Sequence, residues 1–102
     1  MQNKIKVMTF NLRVRTDKDG INCFDFRRER ILEVIEKENP DVIGFQEATD
    51  VMLRWLKSNL SDYVVLGHGR KENYHGEGTP IAYKKELFDL HRFEATWLSY
   101  TP

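Results

Sequence analysis

The spacing of apolar and polar residues predicts a chain in which strands and helices alternate. Residues 5–10 alternate with a period of two, and residues 42–46 form a mostly apolar run typical of a strand covered on both faces. Between them, residues 25–38 carry apolar side chains at helical spacing, with Asp25 as the expected N-cap and Pro40 closing the segment. This order predicts a β–α–β unit, whose two strands are parallel.

The remaining pattern predicts one more helix and several short strands. A helix at residues 49–60, capped by Thr49 or Asp50, directs four apolar side chains at the sheet: Met52, Trp55, Leu56 and Leu60. The segments expected after it are a strand at 63–66, a glycine-punctuated loop at 67–78, a strand at 79–83, a turn at 84–86, and a hairpin-like meander at 87–91 and 94–98. The pattern therefore predicts an α/β fold.

Composition excludes several classes of protein but does not identify a function. A chain of 102 residues forms one domain at most, and its zero formal net charge gives no broad attraction to nucleic acid or anionic membranes. Residues 11–30 hold six cations against four anions, a mild bias typical of a solvated face. The single Cys23 excludes an internal disulfide, and no apolar run is long enough for a signal peptide or membrane span. A cytoplasmic location is favoured, with secretion open if a leader was removed.

Most familiar catalytic patterns are missing from the sequence. There is no Gly-x-Ser-x-Gly elbow and no phosphate-binding P-loop, and the three histidines lack zinc-ligand spacing. Asn11 and Glu47 follow two strands expected to be parallel, so both should lie at one edge of the sheet. An amide oxygen and a carboxylate suit Mg²⁺, whereas the same residues as ordinary polar strand ends remain the alternative.

Four segments of the chain resemble the endonuclease/exonuclease/phosphatase superfamily of magnesium-dependent phosphoesterases. They are MTFNL at 8–12, NPDVIGFQE at 39–47, GEGTPIAYK at 76–84 and TWLSYTP at 96–102. The resemblance implies a four-layer α/β/β/α sandwich. Residues 1–102 then correspond to its N-terminal half, one mixed sheet with flanking helices.

The same resemblance implies roles for particular residues. Glu47 is expected to bind Mg²⁺ (or Mn²⁺), and Asn11 to bind the metal or the scissile phosphate. The residues with an expected role at the substrate are Arg13, Arg15, Arg70, His75 and Glu77. The family's catalytic histidine, its Gly-Asp-x-Asn segment and its terminal Ser-Asp-His segment have no counterpart in residues 1–102, so we expect this chain alone to be inactive.

Two functional hypotheses follow. In the first, the chain is the N-terminal part of a phosphoesterase that hydrolyses a phosphodiester or phosphomonoester of a nucleic acid, a phospholipid head group or a sugar phosphate. Its partner is then the C-terminal half of the same domain. In the second, the chain is a non-catalytic interaction module that self-associates through an exposed sheet edge.

Overall fold

The computed structural model of the protein describes residues 4–12, 24–69 and 76–94. Two helices and four strands occur in these ranges. In chain order they are β1 (Val7–Asn11), α1 (Phe24–Glu38), β2 (Val42–Gln46), α2 (Asp50–Asn59), β3 (Tyr63–Leu66) and β4 (Ile81–Lys84).

The four strands form one mixed sheet in the order β1-β2-β4-β3. β1 and β2 are parallel, with Val7 opposite Val42 and Asn11 opposite Gln46. β4 lies between β2 and β3 and is antiparallel to both. The α/β class and the single mixed sheet with flanking helices are therefore confirmed.

Apolar residues of both helices and of one sheet face, here called the inner face, form a single core. In α1 these are Ile31 and Ile35, and in α2 they are Met52 and Leu56, all at most 4% exposed. The inner-face residues that contact them include Met8, Phe10, Ile43, Phe45, Val65 and Ala82. Each fully buried side chain of this size contributes roughly 1.5–3 kcal/mol through removal of apolar surface from water.

The opposite side of the sheet, here called the outer face, is partly exposed in the described residues, and the Phe88 ring contacts Tyr83 on it edge to face. It carries the other alternate strand residues: Val7, Thr9, Asn11, Val42, Gly44, Gln46, Val64, Leu66, Ile81 and Tyr83. Val7 is 65% exposed and Ile81 is 43% exposed. The sequence predicted β2 to be covered on both faces, but within the described chain only Ile43 and Phe45 on its inner face are buried.

Polar contacts hold the sheet together at the end where β2 begins. Asp41 accepts a hydrogen bond from the Lys6 backbone N–H at 2.8 Å and lies 3.6 Å from the Lys84 ammonium. The Tyr63 hydroxyl donates to the Pro40 carbonyl. Burial, and secondarily the negative charges of Asp41 and Asp62, raise the pKa of Tyr63 above its ordinary value.

The structure shifts several predicted element boundaries. β1 begins at Val7 rather than Ile5 and includes Asn11 as its last residue. α1 begins at Phe24, so Asp25 is the second residue of the helix and not its N-cap. The strand expected at 79–83 is β4 at Ile81–Lys84, because Pro80 has no N–H to donate to a ladder.

The predicted strand at residues 87–91 is wrong. The Leu87 N–H donates to the Lys84 carbonyl at 3.1 Å and closes a turn, and residues 88–94 have no regular secondary structure. β4 already has a neighbour on each side, so the sheet offers it no free edge for a further strand. Of the second predicted strand, 94–98, only residue 94 lies inside the described ranges. Within those ranges, neither helix is long and apolar enough to cross a bilayer.

We expect Tyr63 to lose its proton at a higher pH than an ordinary tyrosine, because folding makes its phenolate less favourable. Unfolding restores the ordinary pKa. The contribution of Tyr63 to the free energy of unfolding should therefore be constant below pH about 10 and be lost as the pH rises through the folded-state value. Tyr63→Phe should remove this alkaline loss. Ultraviolet titration of tyrosinate, with urea melts at several alkaline pH values, measures both effects. An identical alkaline decline in wild type and Tyr63→Phe would contradict the expectation.

Candidate active site

Asn11 is held at one edge of the sheet by the pairing of β1 with β2. It lies opposite Gln46, and the next backbone N–H, that of Leu12, donates to the Gln46 carbonyl at 3.0 Å. Adjacent strands lie about 4.8 Å apart, so Asn11 is close to the end of β2. Its side chain is exposed on the outer face.

Glu47 is the first residue after β2 and has an unusual backbone conformation. Its φ is +58°, a left-handed value that costs a residue with a Cβ roughly 1–3 kcal/mol. The next residue, Ala48, is 2% exposed and belongs to the core. The chain therefore changes direction sharply at Glu47, between the strand β2 and the buried Ala48. Strain of this kind concentrates at functional sites.

Glu77 is brought to the same edge by a two-residue bridge. The Ala48 N–H donates to the Gly78 carbonyl at 3.1 Å, and the Gly78 N–H donates to the Ala48 carbonyl at 2.7 Å. Residues 78–80 thus continue β4 alongside the end of β2. Asn11, Glu47 and Glu77 consequently share one edge, as their positions in the sequence predicted for the first two.

A close approach of backbones fixes the segment that carries Glu77. A Cβ built on Gly78 would lie 2.4 Å from the His68 carbonyl oxygen, and one on Gly67 would lie 2.8 Å from the Pro80 Cα. His68 therefore lies beside this segment. The distance from its Nδ1 atom to the Gly69 carbonyl oxygen is 2.8 Å. Sequence reasoning treated His68 as one of three scattered histidines. The glycines on either side of it were the available signal of this close packing.

Two further side chains near this edge were not predicted to matter there. Thr49 occupies the N-cap position of α2 as expected, yet it makes no side-chain capping bond, and its buried hydroxyl has no hydrogen-bond partner in the part of the chain that the structure describes. Arg27, expected on the solvated face of α1, is half-buried and donates from Nη2 to the Leu12 carbonyl. Neither feature is visible in the sequence, because each depends on which segments meet in space.

The oxygen donors at this edge are of the kind that Mg²⁺ or Mn²⁺ takes. Glu47 offers a carboxylate and Asn11 an amide oxygen, while the unpartnered Thr49 hydroxyl lies two residues from Glu47. Magnesium binds octahedrally through few carboxylates and keeps several waters or substrate oxygens, so this donor set fits it. Among the described residues there is no group of three or more His, Cys, Asp or Glu that could hold a metal ion.

The remaining predicted site residues are not placed by the structure. Arg13, Arg15, Arg70 and His75 lie outside the described residues. A cleft of about 340 Å³ does occur in the described chain, between the carboxyl ends of α1 and α2, with Asn39 and Tyr63 in its wall. It lies at the end of the sheet where β2 begins, so it is separate from the edge that carries Asn11 and Glu47.

Comparison with known proteins identifies the family of this chain. The profile of the endonuclease/exonuclease/phosphatase family matches residues 8–98. The chain belongs to this family. The comparison with curated proteins gave no significant match.

Solved structures of family members share the fold. An endonuclease/exonuclease/phosphatase from Bacteroides vulgatus is 26% identical, with a TM-score of 0.90 over 99% of this chain and 39% of its own. The mannosyl-6-phosphatase Bt3783 of Bacteroides thetaiotaomicron is 28% identical, with a TM-score of 0.87 over 97% of this chain and 38% of its own. This chain therefore spans well under half the length of either protein.

A more distant structure supports the fold alone. TDP2 of D. rerio, solved with a single-strand DNA product, is 21% identical, with a TM-score of 0.65 over 83% of this chain and 31% of its own. This likeness concerns the arrangement of strands and helices.

The two glycines Gly78 and Gly44 offer a matched test of the packing at this edge. Gly78→Ala should destabilise the protein by about 1–3 kcal/mol, because its Cβ would overlap the His68 carbonyl oxygen. Gly44→Ala should be neutral or slightly stabilising in this chain, because a Cβ there meets nothing within 4 Å. Urea melts of the two variants measure the difference. Equal losses of stability would contradict the packing described at Gly78.

Proposed function

We propose that this chain is the N-terminal part of a divalent-metal-dependent phosphoesterase, in which Glu47 and Asn11 help to hold Mg²⁺ or Mn²⁺. The observation that carries the proposal is the β1–β2 register, which sets Asn11 beside the end of β2 where the strained Glu47 follows. Family membership supports hydrolysis of a phosphate ester as the reaction class. The alternative is that both residues are ordinary polar strand ends, and Mn²⁺ binding that is unchanged in Glu47→Gln would favour it.

The roles of the residues follow from their chemistry. Glu47 contributes a negative charge and Asn11 a neutral oxygen, so together they attract a hard cation without fully neutralising it. When bound, the metal supplies charge stabilisation at a phosphoryl oxygen or helps to generate the attacking hydroxide. Glu77, on the neighbouring segment, is proposed to contact the substrate. The basic residues Arg13 and Arg70 and the imidazole of His75 are proposed to contact the substrate.

The substrate is proposed as a phosphodiester or phosphomonoester. Within that class, a sugar phosphate is supported by the 28% identity to a protein named as a mannosyl-6-phosphatase. Nucleic acids and phospholipid head groups remain within the proposed class. The choice between them depends on groups that approach the site from beyond the described sheet.

We further propose that the rest of the same protein covers the outer face. Gly44 lies in the middle of a central strand, where glycine usually weakens a sheet, yet its φ is not positive and nothing nearby excludes a Cβ. A glycine in such a position suits close approach by another backbone. The family members above are more than twice as long as this chain, so they contain the residues for a second layer.

The metal proposal is tested by Mn²⁺ binding followed by nuclear magnetic resonance. Mn²⁺ should selectively broaden the amide signals of Leu12 and Ala48, which flank the two proposed ligands. Glu47→Gln should weaken binding roughly tenfold or more, since a contact with a charged group is worth about 1.5–3 kcal/mol. Glu86→Gln, in an exposed turn after β4, is the matched control and should bind as wild type does.

We expect phosphate-ester hydrolysis in the proposed longer protein and little or none in this chain alone. In the longer protein, Glu47→Gln should abolish hydrolysis of a generic phosphodiester or phosphomonoester, and Glu86→Gln should not. The chain alone should show little turnover with Mg²⁺ or Mn²⁺. Strong turnover by the chain alone, lost in Glu47→Gln, would show that the remaining segments are not needed.

The exposed outer face also favours the second candidate function, an interaction module that self-associates. Apolar residues on this face and the unpaired edges of β1 and β3 could join two copies. Light scattering over a range of concentrations tests it. Ile81→Thr, at 43% exposure on the outer face, should reduce association, whereas Val51→Thr, at 42% exposure on α2, should not. A monomer at every concentration would exclude this function.

A further inference from the structure

The guanidinium of Arg27 connects the first turn of α1 to the residue that follows Asn11. Its Nη2 donates a hydrogen bond to the Leu12 carbonyl, and the Arg27 side chain is half-buried. An arginine directs up to five planar N–H donors, so this contact fixes orientation as well as distance. The helical pattern of the sequence predicts Arg27 on the solvent-exposed face of this helix.

Leu12 is held from two sides. Its N–H donates to the Gln46 carbonyl at 3.0 Å, its carbonyl accepts from Arg27, and its side chain is 0% exposed. One backbone group of Leu12 is thus bound by β2 and the other by α1. The preceding peptide belongs to Asn11, so the end of β1 has little freedom to move relative to either element.

This support matters because β1 is an edge strand of the described sheet. Among the described strands, β1 pairs only with β2, whereas β2 and β4 each have two neighbours. The end of an edge strand opens more readily than a central one, because it has hydrogen-bond partners on one side only. The start of β1 is fixed by Asp41, which accepts from the Lys6 N–H at 2.8 Å. Arg27 provides the corresponding fixation at the opposite end, beside Asn11.

We infer that Arg27 is a positioning residue for the metal site: it holds the end of β1 so that the amide of Asn11 stays beside Glu47. The inference rests on the proposed metal role of Asn11 and Glu47 and extends it to a residue that contacts neither. Residues that orient a metal ligand commonly change metal affinity 10–100-fold when removed. Arg27 acts here through a backbone carbonyl.

The test compares two side chains that fix opposite ends of the same strand. Arg27→Ala should weaken Mn²⁺ binding roughly tenfold. Asp41→Ala, which removes the contact at the other end of β1, should lower stability in urea melts without changing Mn²⁺ affinity. Arg27→Lys should restore part of the affinity, because the ammonium can still donate to the carbonyl but lacks the planar fork. Arg30→Ala, exposed on α1, is the surface control.

A measurement on metal-free protein separates this inference from the proposed function. Hydrogen exchange of the Leu12 amide should accelerate in Arg27→Ala and stay unchanged in Asp41→Ala. Unchanged exchange in Arg27→Ala, or equal losses of Mn²⁺ affinity in the two alanine variants, would overturn the positioning role. If exchange is faster in Arg27→Ala but the wild-type protein binds no Mn²⁺, the result supports Arg27 as the anchor of Asn11 and refutes the metal proposal instead.

Discussion

The parallel register between β1 and β2 is the constraint on which the site depends. It sets Asn11 opposite Gln46 and leaves Glu47 as the next residue on the neighbouring strand. Side chains alternate between faces along a strand, so a slip of one residue would turn Asn11 from the outer face to the core. The register is fixed at both ends, by the Lys6 N–H donating to Asp41 and by the Leu12 N–H donating to the Gln46 carbonyl. The rings of the partly buried Phe10 and the buried Phe45, 6.3 Å apart, pack in between.

The second consequence of this architecture is a core on one side of the sheet. α1, α2 and the inner face share a single cluster of buried residues, while the outer face stays apolar and partly exposed. The described chain is accordingly thin, with extents of 46 × 38 × 20 Å. The outer face is the surface that we propose the rest of the same protein covers.

Polar groups at the two ends of β2 have different roles. Where the strand begins, Asp41, Lys84 and Tyr63 bind one another or the backbone, and the raised pKa of Tyr63 reflects burial beside carboxylates. Where the strand ends, the Thr49 hydroxyl has no partner among the described residues. Left-handed φ values occur at both ends, +48° at Asn39 before the strand and +58° at Glu47 after it, so the polar contacts and not the backbone conformation distinguish the two ends.

The sequence by itself determined the local elements and the relative position of Asn11 and Glu47, the two residues proposed to hold the metal. Periodicity placed both helices and four strands to within about two residues, and the order strand–helix–strand put Asn11 and Glu47 on one edge, because parallel strands share their carboxyl ends. Only the tertiary structure decided what depends on long-range packing. It placed β4 between β2 and β3, which left no edge for a strand at 87–91, and set Glu77 against Ala48. It also placed the Arg27 guanidinium at the Leu12 carbonyl, although the helical pattern predicts this side chain on the solvent-exposed face. Such contacts join residues that are 15 or more positions apart, and local patterns hold no information about which distant segments will meet.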